Sequence, residues 1–210
     1  MVLSQVTQST SPHSLDFQLA FHCAPTLAGL KPASLINIKY ARFPLIEEML
    51  PQYRTYFQEE NLTLEILSHC NTHLLVVLYH QEKLFDWIRK PEHLAFLSQC
   101  GYDSADLENV EAALSKLKER FSLCSTTYPH EVGVFLGYPL EDVEGFILHR
   151  GENAKCCGPW KVYGDETAAK EKFSLYQRVT KLYCEMLDRE SDLFSVCSKL
   201  RRNKTWQTLQ

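Results

Sequence analysis

Two rhythms of apolar and polar positions run along the chain. Over residues 104–122, Leu107, Val110, Leu114, Leu117 and Phe121 recur three or four apart. That spacing is one face of a helix, and Ser104 stands where an N-cap belongs. The run at 62–67, Leu-Thr-Leu-Glu-Ile-Leu, alternates instead and predicts a strand with one solvated face. The run at 74–79, Leu-Leu-Val-Val-Leu-Tyr, is apolar throughout and predicts a central strand buried on both faces. Asn71-Thr72 between them predicts a hairpin.

Punctuation residues divide the rest. Ser14 caps a first predicted helix carrying Leu15, Leu19, Phe21 and Cys23, and Pro25 opens a second short one ending near Gly29. Residues 34–38 read as a short strand. Residues 44–59 read as a helix with Leu45, Met49 and Tyr53 four apart, kinked or broken at Pro51. Helices follow at 81–89 and, from Pro91, at 91–99. Val132 to Leu136 reads as a strand, 140–149 as a helix with acids in its first turn, and 160–163 as a last strand. Asp165 caps a long helix to about residue 188, and a further helix ends in the basic group Lys199, Arg201, Arg202, Lys204. The expected fold is α+β: a single helix-rich domain at 14–204, with a small mixed sheet of about four or five strands packed against many helices. Residues 1–13 are expected to be frayed, and 205–210 form a tail.

Composition narrows the function classes. The 210 residues carry 22 Lys and Arg against 26 Asp and Glu, a net charge of −4. Nucleic-acid binders ordinarily carry a basic surplus, so none is expected. The opening MVLSQVTQSTSPHSL lacks a basic leader and an apolar core, so no secretory signal is expected. Six apolar residues cannot span a bilayer, which needs about 20. A cytosolic chain follows, with its eight cysteines mostly reduced. Phosphate-binding glycine loops and the serine-hydrolase elbow are missing from the sequence, and Val134 stands where a zincin would need its second histidine after His130-Glu131.

Four strings point further: HCAPTLAGLKPASL near the start, HEVGVFLGYPLEDVEGF, CGPWKVYGD, and a helix from about Ala168 carrying Phe173. Together they resemble a bacterial family known as domain of unknown function 3793, over roughly residues 15–185. That resemblance implies a bacterial protein, mainly of anaerobes. It implies no activity, because the family has none established.

Candidate chemistry lies in four places. Cys23 on a helix with His130 on a later strand has the order of a papain-like hydrolase, with Glu131 or Asn153 as orienting group. Against it, free cysteine is a frequent core residue, and strand neighbours point to opposite faces, which separates Glu131 from His130. His69, Cys70, His73 and His80 are metal-ligand types, but their spacing matches no established site and turn residues explain them more simply, so no metal is assigned. Cys156-Cys157 can form an exposed redox or metal-binding pair, or simply belong to a surface loop. Lys31, His130, Tyr138, Trp160 and Lys161 sit at element ends and combine cations with aromatic rings, which suits a small anion, a flavin-like ring or a phosphate. If Trp160 and Tyr163 are core, that site loses its ring. The leading expectation is a small-molecule-binding or redox-partner protein of anaerobic metabolism, with ligand residues Lys31, His130, Tyr138, Trp160 and Lys161. The alternative is a cysteine-dependent hydrolase or transferase using Cys23 and His130. No cofactor is identified, and neither nucleic acid nor membrane is expected as partner.

Overall fold

A computed structural model describes residues 14–123, 128–190 and 192–203. The expectations for residues 1–13, for Lys204 and for the tail at 205–210 lie outside the described residues. The order is α1 (Leu15–Leu27), β1 (Ala33–Lys39), α2 (Ile46–Glu59), β2 (Leu62–His69), β3 (His73–His80), α3 (Gln81–Ile88), α4 (Pro91–Gln99), α5 (Val110–Leu123), α6 (Val132–Phe135), α7 (Leu140–Leu148), β4 (Cys156–Cys157), β5 (Lys161–Val162), α8 (Glu166–Leu187) and α9 (Leu193–Asn203). The α+β, helix-rich class holds.

The sheet is smaller than the expected mixed one. Three strands pair in the order β1-β3-β2, all antiparallel, and β4 and β5 form a separate two-residue ribbon. β3 is central because its side chains are apolar on both faces. Leu74, Val76 and Leu78 pack toward α1, α2, α8 and α9, while Leu75, Val77 and Tyr79 pack toward α3 to α7. Burying a Leu or Val side chain stabilises by about 1.5–3 kcal/mol, so this strand anchors both helical layers. Trp160, Val162, Ala169, Phe173 and Tyr176 form a third cluster beneath the ribbon.

Four local expectations change. α1 runs through Pro25 as one helix. The missing N–H frees only the Phe21 carbonyl, and two residues later the chain leaves the helix through a paired cap: Leu30 N bonds Pro25 O at 2.8 Å and Gly29 N bonds Thr26 O at 2.9 Å, with Gly29 at φ 72°. α2 likewise continues through Pro51, which sits on the solvent side, where a carbonyl freed by the missing N–H is open to water. α5 starts six residues late, because the Asp103 carboxylate holds the N–H groups of Ala105 and Asp106 in a turn and Asn109 caps Ala112 N at 2.8 Å. Residues 132–135, expected as a strand, form one helical turn. A short apolar run is ambiguous between the two, and Gly137 at φ 73° stops it. Asp165 caps α8 as expected, accepting from Ala168 N at 3.0 Å.

Candidate functional site

The cap of α1 delivers the chain to Lys31 and Pro32, directly before β1. Gly137 lies against that segment so closely that a Cβ on it would stand 2.5 Å from Pro32 Cδ. Only glycine combines this approach with a left-handed backbone. The contact sets Tyr138 over Lys31, whose Nζ lies 5.1 Å from the centre of the Tyr138 ring. On its other side the ring stacks on Trp160, with centroids 5.0 Å apart and planes 26° apart.

Trp160 is itself held. Its indole N–H donates to Asp142 Oδ2 at 2.7 Å. Asp142 Oδ1 accepts from the N–H groups of Tyr163 at 2.7 Å and Gly164 at 2.8 Å. One buried carboxylate therefore ties the first turn of α7 to β5 and to the turn before α8. The edge of Trp160 meets Phe173 of α8 at 4.5 Å.

Two clefts adjoin at Tyr138. The inner one, about 740 Å³, is bounded by Phe17, Phe21 and His22 of α1, by Lys31 and Ser34, and by Tyr176 and Cys184 of α8. The outer one, about 580 Å³, is bounded by His130, Phe146, Trp160, Lys161 and Cys157. Tyr138 and Pro159 line both, and the Tyr138 hydroxyl donates to Pro159 O at 3.3 Å. The five expected ligand residues are thus divided: Lys31 on one side of Tyr138, and His130, Trp160 and Lys161 on the other. Trp160 is a buried anchor as well as a wall. Lys161 gives its ammonium to Gly151 O, and His130 rests edge-on against Phe146 at 5.2 Å.

Lys31 is the unusual group. The buried residues that carry a formal charge among the described residues are Lys31, Glu131 and Asp142. Glu131 pairs with Arg120, and Asp142 has three donors. Lys31, 9% exposed, has neither a hydrogen bond nor an ion pair among the described residues. Burial pushes its pKa down to about 8. The titratable neighbour that could offset its charge is neutral at neutral pH. Cys23 beneath it is pushed up to about 12 by burial and remains a thiol. Tyr138 and Tyr176 are each pushed up to about 12 by burial and remain hydroxyl donors.

The structure does not bring Cys23 and His130 together. Cys23 is 0% exposed in the closed core between α1 and the sheet and lines neither cleft. His130 is exposed at the outer cleft, on a turn rather than a strand. Glu131 is committed to Arg120, and Asn153 sits in an exposed loop. The histidine–cysteine set also separates. His73 and His80 end opposite ends of β3, and His80 Nε2 lies 2.8 Å from Thr26 O. Among the described residues no group of three or more His, Cys, Asp or Glu is placed to hold a metal ion. Cys156 packs on the ribbon cluster while Cys157 faces out, so the vicinal pair does not act as one unit.

Cys70 is the contrasting thiol. It is exposed in the β2–β3 turn, its Sγ 3.2 Å from Thr72 Oγ1 and 3.1 Å from His73 Nδ1, and hydrogen bonding from Thr72 lowers its pKa. Brief alkylation at neutral pH, mapped by mass spectrometry, is expected to label Cys70 and Cys157 and to spare Cys23 and Cys197 until the protein unfolds. Early labelling of Cys23 would contradict the closed core.

Sequence reading missed Phe17, Phe21, His22, Ser34 and Tyr176. Phe17 and Phe21 carried a signal, being four apart and off the Leu15–Leu19–Cys23 stripe, and Phe21 is 50% exposed. Tyr176 falls on the buried stripe of α8 and looked like core alone.

A third cavity of about 820 Å³ is larger, lined by Glu60, His80, Lys83 and Arg201 among others. Of its charged groups, Arg201 pairs with Glu60, Lys83 donates to Gly29 O and Glu111 accepts from Gln81, while Glu82 faces water. Size therefore does not decide between the cavities; the unpaired charge does.

Comparison with family models matches residues 19–197 to one described as "Protein of unknown function (DUF3793)". Neither the curated proteins nor the solved structures gave a match.

Proposed function

The chain belongs to the DUF3793 family of proteins of unknown function, and we propose that it is a small-molecule-binding protein whose occupant is an organic anion with an aromatic or branched apolar body. The observation that carries this is the Lys31 amine, buried at a cleft with no countercharge of its own. An isolated buried ammonium is costly, and a bound carboxylate supplies what the fold leaves out. Phe17, Phe21, Leu35 and Tyr138 supply apolar walls for the rest of such a ligand. For the alternative redox-partner role, the support is the exposed Cys70 thiol, with its lowered pKa, in place of the Cys156-Cys157 pair expected from the sequence. We read it as a cytoplasmic protein of an anaerobic bacterium, a reading that the family resemblance supports for the bacterial part. No described helix is long and apolar enough to cross a membrane.

Mandelate, an aromatic hydroxy acid, tests the reading by titration under isotope-edited NMR. Shifts are expected to gather at Phe17, Leu35, Leu136 and Tyr138 and to vanish in Lys31→Met. Binding is expected to weaken as pH rises through about 8, because the amine then loses the charge that holds the carboxylate. The other titratable or charged groups facing it are His22 and Cys23 of α1, Tyr138, and Tyr176, Lys181 and Cys184 of α8. Loss of hydration lowers His22, and burial raises both tyrosines and both thiols, so these are neutral at pH 8. Lys181 faces Glu185 at 3.7 Å. Scattered shifts, or shifts that persist unchanged in Lys31→Met, would overturn the reading.

A further inference from the structure

We propose that Lys31 is a nucleophile as well as an anchor: its amine condenses with the carbonyl of a 2-oxo acid held in the inner cleft and forms an imine. This rests on the inner cleft being the binding site, and it adds a reaction to that site.

The case begins with how other lysines are used, Lys39, Lys90 and Lys172 being exposed to water. Lys83, Lys155 and Lys161 donate to the backbone carbonyls of Gly29, Gly164 and Gly151. Lys116, Lys118, Lys170, Lys181 and Lys199 face carboxylates. Each of those contacts gives the ammonium an acceptor oxygen. Lys31 has none of them, and it sits among Pro25, Leu35, Leu136 and the ring of Tyr138. Desolvation without a partner favours the neutral amine, which is the nucleophilic form. The pKa of about 8 leaves a usable neutral fraction near neutral pH.

A 2-oxo acid fits because it answers both forms of the same nitrogen. Its carboxylate is drawn to the protonated fraction. Its carbonyl carbon, one bond away, then lies beside the nitrogen when the proton leaves. A cleft of about 740 Å³ has room for an aromatic or branched body against Phe17 and Phe21.

The step balances without a further reactant. The Nζ lone pair forms a C–N bond as the carbonyl π pair moves to oxygen, which takes up a proton to give a carbinolamine. The nitrogen gives up its protons, the hydroxyl leaves as water, and a C=N bond forms. Amine and carbonyl thus become imine and water. Tyr138 and Tyr176 stay phenols whose protons go to the carbonyls of Pro159 and Leu30, so the proton for the developing oxyanion comes from water entering the cleft. His22, kept neutral, is the cleft's base. The imine nitrogen then takes up a proton from water and becomes positive, with the substrate carboxylate beside it.

Phenylglyoxylate differs from mandelate in having the carbonyl in place of the hydroxyl, so the two compounds separate binding from reaction. Wild-type protein is incubated with phenylglyoxylate and sodium cyanoborohydride, then digested and mapped by mass spectrometry. The expected result is one secondary-amine adduct on Lys31, suppressed by mandelate and forming faster as pH rises through about 8. Selectivity over a surface lysine is expected to be on the order of a hundredfold at that pH, the ratio of their neutral fractions. Adducts spread over exposed lysines with Lys31 unmodified would overturn the proposal. If mandelate binds the cleft but Lys31 is not trapped, the imine is wrong and the binding reading stands. If mandelate does not bind, both fall. Mapping on the wild-type protein makes the result independent of whether a Lys31 variant folds.

Discussion

Lys31→Met is expected to be more stable than the wild-type protein at pH 7, by roughly 2–3 kcal/mol, and to lose mandelate binding entirely. The gain follows from the pKa. The folded protein holds the Lys31 proton only up to about pH 8. The unfolded chain holds it up to about 10.4, the ordinary lysine value. Between those limits the unfolded state binds more protons, so wild-type stability rises with pH across that window. Below it both states are protonated, and the full cost of burying the ammonium is present. Methionine has a similar length and no charge, so its curve lacks that rise. The advantage of Lys31→Met should therefore shrink toward zero as pH approaches about 10. Urea denaturation at neutral and alkaline pH reads this directly. A variant less stable than wild type at pH 7 would show that the amine has a stabilising partner. A residue that costs stability and confers binding is the usual mark of a functional site.

Asp142→Ala is expected to destabilise the protein by about 3–5 kcal/mol, the second large effect. The carboxylate is 3% exposed and accepts three hydrogen bonds of 2.7 to 2.8 Å. Alanine leaves one indole and two backbone N–H groups buried without acceptors, at roughly 1–3 kcal/mol each, less what water recovers. Asn keeps one acceptor oxygen and should fall between. The consequence reaches the site, because Trp160 loses the bond that holds it against Tyr138. Mandelate affinity should drop even under conditions where the variant is folded. Chemical denaturation of the three proteins checks the order. Asp142→Ala within about 1 kcal/mol of wild type would mean that the junction of α7, β5 and α8 does not depend on this carboxylate.

The sequence announced the elements whose physics is local. β3 was legible because its six consecutive apolar residues follow an alternating strand across the Asn71-Thr72 turn, which pairs the two as a hairpin. The start of α8 was legible because Asp165 carries its own cap. α6 was not, since Val-Gly-Val-Phe suits a strand or a buried turn equally and the choice is made by packing. Trp87 reaches across to bond Val134 O at 2.9 Å. The sheet was overcounted for the same reason, residues 160–163 finding only a two-residue partner in Cys156–Cys157. Cys23 was misleading. Its sequence position near a helix end says nothing of the sheet that closes over it. Within the site, Lys31 and Tyr138 were legible as a cation and a ring at element ends. Their division from His130 and Lys161 was not, because it depends on the Tyr138 ring standing between two clefts. Phe17, His22 and Tyr176 join only through the packing of α1 on α8.

The central claim is that Lys31 is a buried amine left without a countercharge at a cleft. It is tested most directly by titrating the side chain itself. Lysine labelled with carbon-13 at Cε, followed by NMR against pH, resolves each amine, and Lys31→Met assigns the signal. The predicted result is one resonance with a midpoint near 8 that moves upward when mandelate is added. A Lys31 signal that titrates with the surface lysines at about 10 or above, unmoved by mandelate, would contradict the account.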